Sequence, residues 1–136
     1  PNRPRTDSCD PHMKLHADHA TAASVQAYGE GWIQVLNQRH EGSLLLSYSG
    51  AVVPWTCQRF EDLVATDFQQ LLTHEPELVV FGSGTRLRFP HPSLHASLVQ
   101  AGVGLETMGT GAACRTYNIL VQEGRRVVAV LLPETA

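Results

Sequence analysis

The first half of the chain carries short stretches of hydrophobic and polar residues that predict β-strands. Residues 32–37 read WIQVLN and residues 43–50 read SLLLSYSG, with the polar segment QRHEG between them. Two runs rich in β-favouring residues and joined by a short glycine-bearing segment are typical of a β-hairpin, so these runs are predicted to pair with each other. Val25, Tyr28 and residues 51–53 are predicted to extend the sheet at its edges. Pro54 is predicted to lie at a strand end, because proline cannot donate to a ladder.

Two apolar runs and one shorter mixed segment in the second half of the chain predict further strands. Residues 77–82 read ELVVFG, residues 104–108 read GLETM, and residues 126–132 read RVVAVLL. The first run is bounded by proline and glycine, as expected for a strand covered on both faces. These segments are therefore predicted to form strands of a buried sheet.

Helical spacing of apolar residues separates these strands. Residues 66–69, TDFQ, match a capping box with the threonine as cap, and Pro76 is predicted to end the helix that follows. Ser93 is predicted to open a second helix that ends at Gly102. A third helix is predicted over residues 110–123.

The second half therefore alternates as β-α-β-α-β, which implies parallel strands with right-handed connections. The sequence predicts a single mixed-sheet α/β domain, with N-terminal antiparallel strands and a C-terminal βαβαβ half. A length of 136 residues suits one domain. Residues 13–136, which begin at the first methionine, are assigned to this domain. Residues 1–12 are predicted to be a disordered tail, because prolines and polar residues without apolar periodicity do not repay the entropy of ordering.

Charge and hydropathy exclude some functional classes. A formal net charge of −3 argues against general nucleic-acid binding, which requires a basic surface. No apolar run approaches the roughly 18 residues of a membrane span, and no secretory signal is visible, so no membrane insertion is expected. We expect a cytoplasmic protein, or an organelle protein after import.

Cysteine and histidine patterns do not indicate a metal site. The chain has three cysteines, Cys9, Cys57 and Cys114. They are far apart and lack CxxC spacing, which argues against a disulfide framework and against zinc. Three histidines near the N-terminus follow an H-x3-H-x2-H pattern, His12, His16 and His19. No carboxylate joins them, so only adventitious metal binding is expected, and no cofactor is predicted.

Two glycine-rich loops are predicted at the carboxyl edge of the parallel strands, where ligands bind in such sheets. The first contains Gly82, Ser83 and Gly84 and leads to Arg86 and Arg88. The second contains Gly109, Thr110 and Gly111 and opens the third helix. Exposed backbone N–H groups near arginines favour an anion site. The first loop matches neither a Walker A nor a GxGxxG motif, so a tight turn with positive φ remains the alternative.

Other single residues have alternative interpretations. Cys114 lies near the start of the predicted third helix, where a thiol pKa can fall, but a buried apolar role is also consistent with its position. Phe89 follows the arginines and is either an exposed interface anchor or a plug of the core. Glu61 and Asp62 have no partner pattern and are predicted to be solvated.

Two longer segments resemble a known family. Residues 79–90, VVFGSGTRLRFP, and residues 104–133, GLETMGTGAACRTYNILVQEGRRVVAVLLP, are similar to a small α/β family. That family contains a mitochondrial respiratory complex I assembly factor, an adipogenesis-associated domain protein and many uncharacterised bacterial and archaeal proteins. The resemblance implies a β layer stacked on an α/β half, in a layered β/β/α arrangement. It supplies no catalytic residues. Its motif residues that match here are Gly82, Gly84, Arg86, Arg115, Thr116, Tyr117 and Asn118.

Two functional hypotheses follow. The first is a non-catalytic module that binds a protein partner and assists the assembly of membrane or respiratory complexes. The second is a binding protein for an anionic small molecule or nucleotide, or a small enzyme with chemistry at Cys114 or His91. The absence of a catalytic pattern favours the first. The predicted binding surface comprises Gly82, Ser83, Gly84, Arg86, Arg88, Phe89, Gly109, Thr110, Gly111, Arg115, Tyr117 and Asn118.

Overall fold

Eight strands form two separate sheets in the structure, a computed structural model that describes residues 23–135. The strands are β1 (Val25–Gly29), β2 (Trp32–Val35), β3 (Gln38–Glu41), β4 (Leu44–Ser47), β5 (Val52–Pro54), β6 (Leu78–Gly82), β7 (Gly104–Met108) and β8 (Val127–Leu131). Strands β1, β2 and β3 form an antiparallel sheet in that order. The second sheet has the order β5-β4-β8-β6-β7, in which β6, β7 and β8 are parallel and β4 is antiparallel to β8.

Within residues 23–135, three α-helices and three short 3-10 helices connect the strands. The α-helices are α1 (Ala65–Gln69), α2 (Ala96–Gln100) and α3 (Thr110–Gln122). The 3-10 helices are Phe60–Asp62, Gln70–His74 and Pro92–His95. The last of these precedes α2, and the His91 ring caps it by accepting a hydrogen bond from the Ser93 N–H at 3.1 Å.

The five-stranded sheet separates two hydrophobic cores. On one face, α3 and the three-stranded sheet enclose a core around Val80, Ala129 and Tyr117. On the other face, α1, α2 and the 3-10 helices enclose a core around Phe68 and Phe81. Every residue of β8 is buried, because this strand is central and covered on both faces. The predicted α/β fold class, with antiparallel strands followed by a parallel βαβαβ half, is confirmed.

The predicted pairing of the first hairpin is wrong. Strand β2 does not pair with β4; it pairs with β3, which is the segment predicted to be the connecting loop. Leu36 and Asn37 form the tight turn, with φ of 53° and 62°. Two positive φ values are the backbone signature of a type I′ hairpin turn. Strand β4 joins the other sheet, where it lies between β5 and β8, and Pro54 ends the edge strand β5 as predicted.

The start of the first helix also differs from the prediction. Helix α1 begins at Ala65, with Val64 as its N-cap residue, so Thr66 does not cap it. The Asp67 carboxylate accepts a hydrogen bond from the Val64 N–H at 2.9 Å. Asp67, three residues after the cap, therefore accepts from the cap N–H, which is the role that the predicted capping box assigned to Gln69.

Several predictions concern residues that the structure does not describe. The disordered tail over residues 1–12, the domain boundary at Met13, Cys9 and the histidines His12, His16 and His19 all lie outside residues 23–135.

Candidate functional site

The two glycine loops meet at the carboxyl edge of the parallel strands and bond to each other. Gly84 lies two residues after the end of β6, and Gly109 directly precedes α3. The Thr110 N–H donates to the Gly84 carbonyl at 2.8 Å, and the Gly84 N–H donates to Thr110 Oγ1 at 2.9 Å. The Ser83 N–H donates to the Met108 carbonyl at 2.9 Å. The structure thus brings the two predicted loops together.

Thr110 also ties this edge to β8. Its hydroxyl donates to the Leu132 carbonyl at 2.6 Å. A Cβ atom on Gly82 would lie 3.1 Å from Thr110 Cα and 3.0 Å from a Leu131 methyl carbon, so the close approach of the helix favours glycine there. The N–H groups of Gly84 and Thr110 are therefore used within the protein and are not free to hold a phosphate.

Ser83 closes the turn that follows β6. The side chain is buried, and its hydroxyl donates to the Arg86 carbonyl at 2.7 Å. The same oxygen accepts from the Arg88 N–H at 3.0 Å. Gly84 has φ of 101°, a conformation that favours glycine. Residues 83–88 therefore form a rigid turn that a single serine hydroxyl holds from within.

Arg88 is bound to the protein on several sides. Its guanidinium donates to the Ser83 carbonyl at 3.2 Å and pairs with a Glu61 carboxylate oxygen at 3.2 Å. It also lies 4.5 Å from the centre of the Phe60 ring, in a cation–π contact. Glu61 is exposed, as predicted, but it has arginine partners that the sequence pattern did not indicate. The pKa of Glu61 is lowered, first by a hydrogen bond from its own backbone N–H and further by the nearby Arg88 and Arg59.

Residues 85–89 present four exposed side chains, and Thr85 is the first of them. Arg86 is exposed, Leu87 is 54% exposed and Phe89 is 70% exposed. Pro90, directly after them, is buried. Phe89 is therefore not a plug of the core. We call residues 85–89 the exposed loop.

A small open cleft lies beside the exposed loop. Its volume is about 230 Å³, and its lining includes Arg59, Glu61, Thr85, Arg88 and Thr135. Glu61 lies between the two arginines, with carboxylate oxygens 3.2 Å from Arg88 and 3.7 Å from Arg59. The cleft therefore contains cations whose charge an internal carboxylate already offsets.

The remaining predicted surface residues, on α3, point toward β1 and the core. Arg115 donates to the Tyr28 hydroxyl at 2.8 Å. Asn118 bonds the backbone of Val25 twice, accepting from its N–H at 2.8 Å and donating to its carbonyl at 2.9 Å. Tyr117 is fully buried, and burial raises the pKa of its hydroxyl. The structure therefore separates these three residues from the exposed loop and gives them contacts that join α3 to β1.

Gly111 belongs to the same contact between α3 and β1. A Cβ atom at this position would lie 2.7 Å from the Tyr28 hydroxyl oxygen. Sequence reasoning gave Tyr28 and Phe60 no role in the site. Neither residue carries a motif that could have indicated its arginine partner.

Cys114 lies on the buried face of α3 and is 1% exposed. Burial raises the pKa of its thiol to about 12, and Glu134 adds a smaller effect in the same direction. Cys57 is also a buried free thiol, and burial raises its pKa. Since the thiolate is the nucleophile, this environment disfavours covalent catalysis at Cys114.

We predict that Cys114 resists alkylation in the folded protein. A pKa of about 12 leaves roughly one thiol in ten thousand ionised at pH 8. Native protein treated with iodoacetamide at pH 8 should therefore stay unmodified at Cys114, as judged by peptide mass spectrometry, whereas urea-unfolded protein should react fully. Rapid modification of native Cys114 would restore the nucleophile hypothesis.

Within residues 23–135, no group of three or more histidine, cysteine, aspartate or glutamate side chains could hold a metal ion. In the same part of the chain, no helix is long and apolar enough to cross a membrane.

Comparison with known proteins identifies the family of this chain. Residues 25–132 match the model of a family described as "Protein of unknown function (DUF498/DUF598)". The chain belongs to the DUF498 family. This match covers every strand that the structure describes, since β1 begins at Val25 and β8 ends at Leu131.

Relatives of this DUF498 chain include bacterial and mitochondrial proteins. An uncharacterised Rhodobacter capsulatus protein is 37% identical over 84% of this chain and 87% of its own length. The Bos taurus NADH dehydrogenase [ubiquinone] 1 alpha subcomplex assembly factor 3 is 34% identical over 88% of this chain. The DUF498 chain spans 65% of that assembly factor's length. A crystal structure of a Bordetella parapertussis protein, 41% identical, superposes with a TM-score of 0.78 and covers 83% of this chain and 97% of its own. The family resemblance read from the sequence is confirmed.

Proposed function

We propose that this chain is a protein-binding module that assists the assembly of a respiratory membrane complex, and that it docks its partner on the exposed loop. The similarity to an NADH dehydrogenase assembly factor supports the assembly role. The observation that carries the choice of surface is the exposure of Phe89 and Leu87 beside Arg86. Aromatic and arginine side chains dominate the binding energy of many protein interfaces.

The rigidity of the turn supports this choice. Ser83 and Arg88 hold the backbone from within, so the loop loses little conformational entropy when a partner binds. Presenting an anchor in its bound conformation increases affinity because it reduces the ordering cost of association. Arg86 adds one positive charge, which favours an acidic rim on the partner.

The alternative of an anion site rests on the cleft between Arg59 and Arg88. Two observations weigh against it. Glu61 lies between the two guanidinium groups, and the N–H groups of Gly84 and Thr110 bond to protein oxygens. A phosphate would have to displace an existing carboxylate, so the docking function is the better supported.

A complementation experiment tests the proposal. In a host strain that lacks the encoding gene, the Arg86→Glu/Phe89→Ser double variant should fail to restore assembled NADH dehydrogenase in the membranes, measured on native gels. Loss of one aromatic anchor worth about 2 kcal/mol weakens binding about 30-fold. Ile119→Ser is the matched control, because Ile119 is 56% exposed and lies on α3, away from the exposed loop.

Two outcomes would contradict the proposal separately. If the deletion strain assembles NADH dehydrogenase normally, the assembly role is wrong. If the deletion blocks assembly but the double variant, present at wild-type level, restores it, then the exposed loop is not the docking surface.

A further inference from the structure

Strand β7 presents a free backbone edge. Among the described strands it pairs with β6 alone, in parallel and in continuous register from Gly104 to Met108. The Gly104 N–H donates to the Glu77 carbonyl at 3.2 Å, and the Met108 carbonyl accepts from Ser83. Because residues alternate along a strand, Gly104, Glu106 and Met108 direct their backbone groups at β6. The N–H and C=O groups of Leu105 and Thr107 therefore point away from the sheet.

These outward groups have no partner among the described residues. Within residues 23–135, no hydrogen bond satisfies the N–H or the C=O of Leu105 or Thr107. Glu106, the central residue of β7, has an exposed side chain. The edge thus offers two donors and two acceptors at the spacing of a strand, with one carboxylate beside them.

The other three sheet edges are protected. On β1, the Asn118 side chain occupies both backbone groups of Val25. Strand β5 has three residues and ends in Pro54. Strand β3 exposes the charged residues Arg39 and Glu41. Prolines, charges and short length are the devices by which proteins prevent pairing at a sheet edge. Strand β7 has five residues, no proline and no bulge, and it carries one charged residue, Glu106, where β3 carries two.

We propose that β7 accepts an extended segment of a partner protein as a sixth strand of the large sheet, with a lysine or arginine of that segment facing Glu106. Free main-chain groups give such strand addition its affinity, and side chains on alternate positions give it specificity. Glu106 determines the sign of the charge that the segment must carry, because opposite charges stabilise a directly facing pair and like charges destabilise it.

The same charge disfavours a second copy of this chain as the occupant. In an antiparallel pair of β7 strands with Leu105 facing Thr107 of the other copy, each Glu106 would face the other Glu106. Two like charges directly opposite each other are unfavourable. A heterologous strand that carries a basic residue avoids this repulsion.

This inference does not depend on the exposed loop, and a peptide tests it directly. The probe is an acetylated, amidated peptide of sequence Thr-Val-Thr-Lys-Thr-Val-Thr, added to the isotope-labelled chain and followed by NMR. The amides of Leu105 and Thr107 should shift and become protected from hydrogen exchange about tenfold or more at saturation. The Glu106 amide, which points at β6, should change little.

Substitutions at Thr107 separate strand addition from adventitious contact. Thr107→Pro removes an outward N–H but no bond to β6, which is the position where an edge strand tolerates proline. It should weaken binding of the probe about tenfold or more, because it removes a hydrogen bond and places a ring in the path of the new strand. Thr107→Val keeps the N–H and should bind within about twofold of wild type. Thermal melting confirms that both variants are folded.

A charge exchange keeps the test decisive if the proline variant does not fold. Wild type should prefer the lysine probe over the same peptide with a central glutamate, and the Glu106→Lys chain should reverse that preference. An unchanged preference would overturn the proposal, as would shifts confined to residues 85–89. Protection of Leu105 and Thr107 that grows with chain concentration in the absence of peptide would identify the occupant as a second copy and also overturn it.

Discussion

The Tyr117→Ala variant is expected to lose about 3–5 kcal/mol of unfolding free energy, the range for removing a large aromatic from a core. Tyr117 is fully buried between α3, the three-stranded sheet and the central strands of the large sheet. The loss would be a large part of the roughly 5–15 kcal/mol that stabilises a typical domain. Urea unfolding followed by circular dichroism measures it.

The Tyr117→Phe variant is the matched control and distinguishes a structural role from a binding role. The Tyr117 hydroxyl is buried and has no hydrogen-bond partner among the described residues. Burying a hydroxyl without a hydrogen bond costs desolvation free energy, and the phenylalanine variant avoids this cost. The unfolding free energy should therefore be unchanged or should rise by up to about 1 kcal/mol. A loss close to that of alanine would show that the hydroxyl has a partner, and Tyr117 would return to the list of binding candidates.

The Asn118→Ala variant is expected to lower the unfolding free energy by about 2–3 kcal/mol, because one substitution removes both hydrogen bonds to Val25. The N–H and C=O of Val25 would remain on a strand edge beneath α3, without a side chain to bond them. The loss should be local at first. Amide exchange should accelerate in β1 more than in β8, which hydrogen-exchange mass spectrometry can resolve.

The adjacent Ile119→Ala substitution controls for that experiment. Ile119 is 56% exposed, so its truncation should change the unfolding free energy by no more than about 0.5 kcal/mol. If both substitutions changed the unfolding free energy equally, the hydrogen bonds between Asn118 and β1 would contribute no more to stability than an exposed side chain of the same helix.

The parallel half of the fold could be predicted because its signals are local. Strand β8 is apolar throughout and buried throughout, and glycine or proline bounds each run. Helix α3 follows the predicted range to within one residue, from Thr110 to Gln122, with Gly124 at φ of 79° after it. Continuous apolar runs and helical periodicity need no knowledge of distant residues.

The three-stranded sheet was harder to predict because β3 lacks an apolar pattern. Its sequence QRHE exposes three of four residues and resembles a loop. The turn before it places Leu36 at φ of 53°, whereas hairpin turns with positive φ usually show glycine or asparagine at that position. Only the pairing with β2 establishes the segment as a strand.

The candidate site depends on pairs that lie far apart in sequence. Arg88 meets Glu61 across 27 positions, and Arg115 meets Tyr28 across 87. Sequence spacing indicates ion pairs within a helix, but it gives no rule for pairs between elements. Whether Arg86, Arg88 and Arg115 surround one pocket could therefore not be predicted from the sequence. In the structure these three arginines lie apart. Arg86 is exposed to solvent, Arg88 pairs with Glu61, and Arg115 bonds to Tyr28 on β1.

The position of β8 has a consequence for the order in which the molecule can form on the ribosome. This strand lies between β4 and β6, yet all other described strands are synthesised before it. Until β8 emerges, β4 and β6 each have an unpaired side. Leu44, Val80 and Phe81 then lack the central strand beside which they are buried in the complete fold. Chains elongate at roughly 5–20 residues per second, so this interval lasts seconds. The nascent chain should therefore engage holdase chaperones until the last strand is made, and a stalled chain that ends before Val127 should aggregate rather than fold.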